Sequence, residues 1–527
     1  MFRTLLWNNI RDHLMTFRFG ASLLITFVLI AASVWVLGED YNRRQDTFNT
    51  LSERTQHQLH EVIVPSYIQP TVFISPSKLG IFAQGEEKRL GNAVNIKRWS
   101  VPSEAEDRLT DNQLMAAFIP FDLLTVLTLI ISLFGKLISY DALSGDREKG
   151  ILKLICSYNV SRGAVFSAKF IAGVVILAIP LAISCISALL ILQYIHQITF
   201  DFSQWLAVSL MFLATIIYGA VFVSIGLLSS SVFRRSSISL VFALLIWTVS
   251  VLLIPGAAVT ASSLIVGSPS PTELQRLEDE TQQEAVAKRT EFRRAHPRPQ
   301  GYQMGTAVGY SEEVQVFEFT SLDIGNMDFS INHLNPDLWR WSIEVFRFTE
   351  SLWQERAETI YNLTRQHADL KREQKRLADL LAFASPAFQL RSVFTSCADT
   401  DYRAQVRFLE RVRRYRKELL NEFRRKGYFG ENAISFFSQR SPDDLTPEKL
   451  EARWNYYKSQ IKGPDDFSRV LNVEAWNPLP SDLLPHFANI QAESRFEDTI
   501  SPLATMIFIV ALVFIGGYVM FIRYDVR

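Results

Sequence analysis

Six apolar runs, each about 20 residues or longer, constrain this chain more than anything else in its 527 residues. Only a helix of that length satisfies its own backbone hydrogen bonds across a bilayer. The sequence therefore predicts a mainly α protein with a polytopic six-helix membrane domain. The predicted spans are residues 19–37, 114–139, 170–192, 205–228, 238–265 and 502–522. The fifth is strongly apolar to about Pro255, and its weakly apolar remainder through Ile265 fits a re-entrant segment.

Lys and Arg beside span ends are retained on the cytoplasmic side. Arg3, Arg11 and Arg18 precede the first span, and Lys136, Arg147, Lys149, Lys153, Arg162 and Lys169 surround the second connection. Arg234 and Arg235 fill the fourth connection, and Arg523 and Arg527 end the chain. All four places fall on one side when the spans alternate, so both termini are expected in the cytoplasm. Residues 523–527 are then a cytoplasmic tail, and residues 38–113 and 266–501 are large extracytoplasmic segments.

Residues 1–18 are too long for the n-region of a cleavable signal. They place Phe2, Leu5, Leu6, Ile10, Leu14 and Phe17 at helical spacing, with Arg3, Asn9, Arg11 and Asp12 turned away. That pattern predicts an interfacial amphipathic helix on the inner leaflet.

The extracytoplasmic segments are expected to be α-rich. Helical patterning runs from Glu273 to Arg294, from Trp353 through Leu381 with Arg356, His367 and Gln374 interrupting the stripe, and from Tyr402 to Arg425. The longest of these reads as one arm of a helical hairpin. In the first outward segment Val62, Val64, Tyr67, Ile68, Val72, Phe73 and Ile74 suggest short strands. Asn477 to Pro485 is a Pro-rich return toward the membrane.

Several chemistries lack their signatures. Lys+Arg and Asp+Glu both number 54, so net charge points to no nucleic-acid partner. Cys156, Cys185 and Cys397 fall in three separate regions and predict no disulfide framework. There is no Gly-x-x-x-x-Gly-Lys-Ser/Thr phosphate loop, no His-Glu-x-x-His and no Gly-x-Ser-x-Gly. His57, His60 and Glu61 can share a helix face at metal-ligand spacing, but a solvated helix face is the far simpler account of them, and no metal site is expected. The third to sixth spans hold no ionisable group, which weakens an ion-coupled carrier. Asp122 and Lys136 lie near opposite ends of the second span and are expected to snorkel to the two interfaces.

The most informative stretch is the cytoplasmic connection, residues 140–169. Asp141, Asp146, Arg147 and Glu148 offer a charged edge for ion pairs with a soluble partner. After Gly150, the residues Ile151, Leu152, Leu154 and Ile155 give a short apolar helix face. Ser144 or Asp146 is placed to cap that helix, and Ser161 to cap the start of the third span.

This stretch, with Val160-Ser161-Arg162 and later Lys169, resembles the cytosolic coupling segment of ABC-2 type transporter permeases. The leading interfacial helix, the six-span order, the Ser-Pro-x-x-x-Leu run from Ser385 to Leu390 and the ending Arg523-Tyr524-Asp525-Val526-Arg527 agree with it. The large insertion before the last span resembles the subgroup carrying the DUF3526 region. Ile151 stands where that family often has Thr, and Asn159 where Pro is common.

The resemblance implies an ABC-2/type V exporter-like permease subunit, itself not an enzyme and holding no cofactor, in a bacterial inner membrane. ATP and Mg would be bound by separate ABC ATP-binding subunits, and a second permease would complete a homodimer or related heterodimer. Asp141, Asp146, Arg147, Glu148, Gly150, Ile151, Leu152, Leu154, Arg162 and Lys169 would couple ATP hydrolysis to export. A second reading has the same ATPase drive the outer domain against a periplasmic partner with nothing transported.

Overall fold

The computed structural model describes residues 2–61, 69–85, 91–109, 123–157, 160–267, 271–297, 309–311, 316–318, 336–425 and 496–523, plus four isolated positions from 452 to 487. Among the described residues, six helices are long and apolar enough to span a membrane. Helix α1 (Phe2–Leu14) leads into α2 (Phe17–Glu61). On α1 the half-buried face is Leu5, Leu6, Asn9, Ile10 and His13, so Asn9 turns inward, where its amide donates to the Leu5 carbonyl.

Helix α2 has 45 residues, which at about 1.5 Å per residue reaches roughly twice the ~30 Å of a hydrocarbon core. The apolar run ends near Leu37, but the helix does not. Its outer half is an aqueous stalk held by ion pairs one turn apart, Glu39–Arg43 at 3.1 Å and Asp40–Arg44 at 3.1 Å. Beyond it, β1 (Thr71–Phe73) pairs antiparallel with β2 (Ala93–Asn95), Val72 opposite Val94. Val62, Val64, Tyr67 and Ile68 lie outside the described residues, as do residues 114–122 of the predicted second span.

The rest of the second span is α3 (Leu123–Ser139), followed by the short helices α4 (Ser144–Glu148) and α5 (Ile151–Ser157). Spans three and four are α6 (Arg162–Leu190) and α7 (Phe202–Val232). The fifth is α8 (Ser236–Ile265), one continuous helix with a π-turn at Thr248–Leu253. The stretch to Ile265 is therefore not re-entrant; Pro255 sits at the start of the helical stretch after the π-turn, where its missing N–H breaks little. Helix α9 (Pro271–Ala295), a β3–β4 hairpin (Gly309–Ser311 with Val316–Glu318), α10 (Pro336–Leu381), α11 (Pro386–Ala398) and α12 (Tyr402–Arg425) build the second outward segment. The last span is α13 (Glu497–Arg523). The Pro-rich return at 477–485 lies outside the described residues.

At the centre of the bundle, α7 touches α3, α6, α8, α11 and α13. Small residues let it do so. A Cβ at Gly226 would overlap the Ser139 hydroxyl of α3, and one at Gly219 would overlap Leu177 of α6. The Tyr218 hydroxyl, fully buried, donates to the Thr128 carbonyl at 2.9 Å.

Outside the membrane, α9 and α10 form a hairpin, with Phe292 stacked on Phe348 at 3.9 Å. The two outward segments share one core: Val72, Val94 and Ile96 pack on Phe408, Val412, Tyr415 and Leu419 of α12. Arg98 and the Trp99 indole N–H both bind Glu350 of α10, at 3.1 and 2.7 Å. Helix α11 does not stay outside. It wedges into the outer end of the bundle, where Leu390, Val393 and Phe394 join the core of the spans. Ser385 caps α11 by accepting from the Phe388 N–H and donates to the Ser250 carbonyl at 2.6 Å, inside the π-turn of α8. That carbonyl is one the π-turn displaces from the ordinary helical ladder. Ser385→Ala is expected to cost about 1–3 kcal/mol by removing a cap and leaving a buried carbonyl unpaired; thermal unfolding in detergent measures it.

Candidate functional site: the connector face of the bundle

Residues 140–157 form a compact connector beneath α3, α7 and α8. Its start is fixed from the fourth span. The Ser230 hydroxyl accepts from the backbone N–H groups of Leu143 and Ser144, each at 2.8 Å. The cap of α4 thus comes from α7, whereas Ser144 donates to the Tyr140 carbonyl at 3.1 Å and Asp146 is engaged elsewhere. The expected local caps are wrong here because a buried hydroxyl 86 residues downstream reaches the same donors.

The charged edge is likewise satisfied within the chain. Lys169 of α6 bonds Asp146 at 2.6 Å, and Arg18 at the foot of α2 bonds Asp141 at 2.8 Å while its guanidinium also reaches the Tyr140 hydroxyl at 3.0 Å. Arg147 donates to the carbonyls of Ser231 (3.0 Å) and Phe233 (3.2 Å), the last turn of α7. Glu148 accepts from both the N–H and the hydroxyl of Ser236, at 2.8 and 3.0 Å. A carboxylate there closes the first turn of α8 and meets the positive end of its dipole. Arg162 does the converse for the last span, donating to the Ile522 carbonyl at 2.7 Å. Ser161 caps α6 as expected, accepting from the Ala164 N–H at 3.3 Å.

These residues were expected to meet a soluble partner through ion pairs. Instead they tie the connector to the ends of spans one, three, four and five, and Arg162 ties span three to span six. The physical reason is proximity: helix termini and opposite charges of the same bundle end lie within reach, and pairing them satisfies backbone ends of α7, α8 and α13.

What remains open is apolar. Gly150, at φ +73, turns the chain between α4 and α5, a backbone conformation costly for other residues. Beyond it Leu152 is only 2% exposed, packed with Leu143, Phe166, Val223, Leu227 and Phe521. Ile151 is 41% exposed and Leu154 64%. The short helix therefore has one side sunk into the span core and two aliphatic side chains presented outward, with Lys149 exposed just before it. The side chains of Lys153 and Cys156, and Asn159 altogether, lie outside the described residues.

The inward side rests on an aromatic stack in which Phe166 touches Phe514, Tyr518 and Phe521 at 5.1 to 6.0 Å between ring centres. Gly517 lets it fit, since a Cβ there would lie 2.9 Å from Phe166. Burial, then the nearby Lys169, holds the His13 imidazole of α1 below its usual range, against weaker opposite pulls from Asp141 and Asp12.

Two other sequence expectations fare differently. Helix α2 does carry His57, His60 and Glu61 on adjacent turns, but His57 is exposed and the other two side chains lie outside the described residues. Among the described residues no cluster can hold a metal ion. Lys136 does not snorkel. It is 1% exposed, with Nζ 4.2 Å from the centre of the Trp247 ring of α8. Its direction is set by helix phase, which turns the stem toward α8 and away from the nearer interface.

Comparison with known families agrees with this architecture. A family model described as ABC-2 family transporter protein matches residues 3–310, more than half of the chain. A model described as DUF3526, a domain of unknown function, matches residues 337–442. No curated protein matches the chain.

Proposed function

This chain belongs to the ABC-2 family of transporter proteins, and from that membership we propose that the connector 140–157 is the input through which separate ATP-binding subunits drive the spans. As a membrane permease subunit the chain supplies the path and the partner supplies ATP hydrolysis, with ATP and Mg held there. The observation that carries the reading is the division of α5: Leu152 locked into the span core, Ile151 and Leu154 presented to the cytosol. A push on the exposed pair is passed to α6, α7 and α8, because Asp146, Arg147 and Glu148 bond to those helices and Ser230 of α7 holds the Leu143 and Ser144 N–H groups; Arg162 of α6 extends the link to α13. Export across a bacterial inner membrane, with both termini cytoplasmic and a second permease copy or relative, fits the positive-inside pattern.

Glu148 separates coupling from assembly. Glu148→Lys removes the α8 cap and places a cation at a helix N-terminus, a cost of about 1–2 kcal/mol in stability. The expected outcome is a complex that still forms through Ile151 and Leu154 but whose ATP hydrolysis no longer responds to substrate. Wild-type stimulation in this variant would remove Glu148 from the transmission.

One structural observation favours a second reading, mechanical work on an envelope partner. The 46-residue α10 and the wedge α11 join the outer domain to the spans rigidly enough to carry motion outward. Deleting the α9–α10 hairpin above the bundle then abolishes action on the partner with ATP hydrolysis intact, whereas loss of substrate flux in vesicles supports transport.

A further inference from the structure

Lys136 is a lysine sealed in the connector-side half of the bundle, 1% exposed. Its Nζ has no hydrogen-bond partner among the described residues. The Ser132 hydroxyl, one helical turn away on α3, is already spent: it donates to the Thr128 carbonyl at 2.6 Å and accepts the Trp247 indole N–H at 2.7 Å. The described parts of the six spans hold no carboxylate between their end turns. A buried charge without a counter-ion is among the costlier features a membrane segment can carry, and the face of one indole offsets only part of that cost. Packing alone would be served better by Met or Leu.

The surroundings say what kind of counter-ion fits. Residues 129, 133, 136 and 140 follow one another along a single face of α3. Leu129 and Leu133 are exposed on that face, and Lys136 is covered by half-buried Trp247. Lys136 lies three residues from the cytosolic end of α3, so it sits roughly 5 Å inside, with Leu133 and Leu129 about 5 and 10 Å farther up. A cation below an apolar stripe, on the inner-leaflet side, matches the polarity of an inner-leaflet amphiphile: head toward the cytosol, tail toward mid-membrane.

We propose that Lys136 and Trp247 form a covered recognition site, between α3 and α8, for the anionic headgroup of an amphiphile whose tail lies along Leu133 and Leu129. In the structure Trp247 occupies the ammonium. When the ring swings aside, a phosphate or carboxylate oxygen replaces it as the partner of Nζ, exchanging a cation–π contact for a charge-assisted hydrogen bond. Trp247 stands immediately before the π-turn that Ser385 of α11 closes, so the cover and the outer domain are linked through one stretch of α8. That this ligand is also the cargo rests on the permease reading above. Binding itself does not.

The test uses the purified, delipidated full chain in detergent, with no ATP-binding subunit, so its failure is separate from any failure of coupling. Phosphatidylglycerol, phosphatidylcholine and inorganic phosphate are titrated against the wild type, Lys136→Met and Lys136→Arg, reading thermal midpoint and native mass spectrometry. Phosphatidylglycerol should bind the wild type and the Arg variant at least tenfold more tightly than Lys136→Met, with phosphatidylcholine indifferent to all three. The Met variant should fold at least as well as the wild type, since it loses only an uncompensated buried charge. Equal phosphatidylglycerol binding by wild type and Lys136→Met would overturn the site. So would a wild type without preference over phosphatidylcholine. A response to inorganic phosphate equal to that of phosphatidylglycerol would overturn the amphiphile and leave only a small-anion contact.

Discussion

Leu154→Glu is expected to abolish stable association with the ATP-binding subunit while leaving the isolated chain folded. Leu154 is the most exposed aliphatic residue of the connector, at 64%, so in the free chain a carboxylate there is solvated and stability changes by about 0.5 kcal/mol or less. In a docked complex the same carboxylate is buried against an apolar surface, at a cost of several kcal/mol. Each 1.4 kcal/mol is about tenfold in affinity, so a loss of roughly a hundredfold or more follows. Co-purification from membranes and thermal unfolding of the variant measure the two halves. Leu152→Ala is the opposite case: two residues away but buried at 2%, it is expected to destabilise the chain by about 2–5 kcal/mol.

Gly226→Ala should destabilise the fold by forcing two packed spans apart. A methyl there overlaps the Ser139 hydroxyl and approaches the Ser139 backbone carbon at 3.2 Å. Inside a helix, Ala otherwise gains about 1 kcal/mol over Gly, so any net loss is steric. About 2–3 kcal/mol is expected, because α3 and α7 must separate where Ser230 also holds the connector. Ser139→Gly in the same chain removes most of the obstruction and should recover part of the loss. Thermal midpoints of the two single variants and the double variant give the coupling directly.

The spans were legible because hydropathy and length leave few alternatives for an apolar run of that size. Their ends were not. Helix α2 outlives its apolar run by more than 20 residues because Glu39–Arg43 and Asp40–Arg44 stabilise a helix that hydropathy cannot see. The second span also shows the limit of one-dimensional reading. Lys136 near a span end suggested snorkelling, yet helix phase turns it onto Trp247, more than 100 residues away in sequence.

The candidate site was legible as a location and not as a mechanism. Asp146, Arg147 and Glu148 drew attention as a docking edge because charges clustered between spans usually face solvent or a partner. Their partners, Lys169, the carbonyls of Ser231 and Phe233, and Ser236, are supplied by helices whose proximity only the fold reveals. The apolar residues that do face outward, Ile151 and Leu154, were named in the same stretch but could not be told from Leu152. A seven-residue helix gives too little periodicity to separate inside from outside. The wedge α11 had one usable signal, Ser385-Pro386, which reads as a helix start. Nothing in the sequence said that this helix enters the bundle.

The central claim is that residues 149–155 are the contact through which ATP-binding subunits move the spans. Hydrogen–deuterium exchange on the full chain in nanodiscs, with and without the ATP-binding subunit, tests it directly. The expected result is strong protection of the peptide spanning 149–155, with smaller changes at 231–236. Unchanged exchange across 149–155, with protection appearing elsewhere on the cytosolic face, would contradict it.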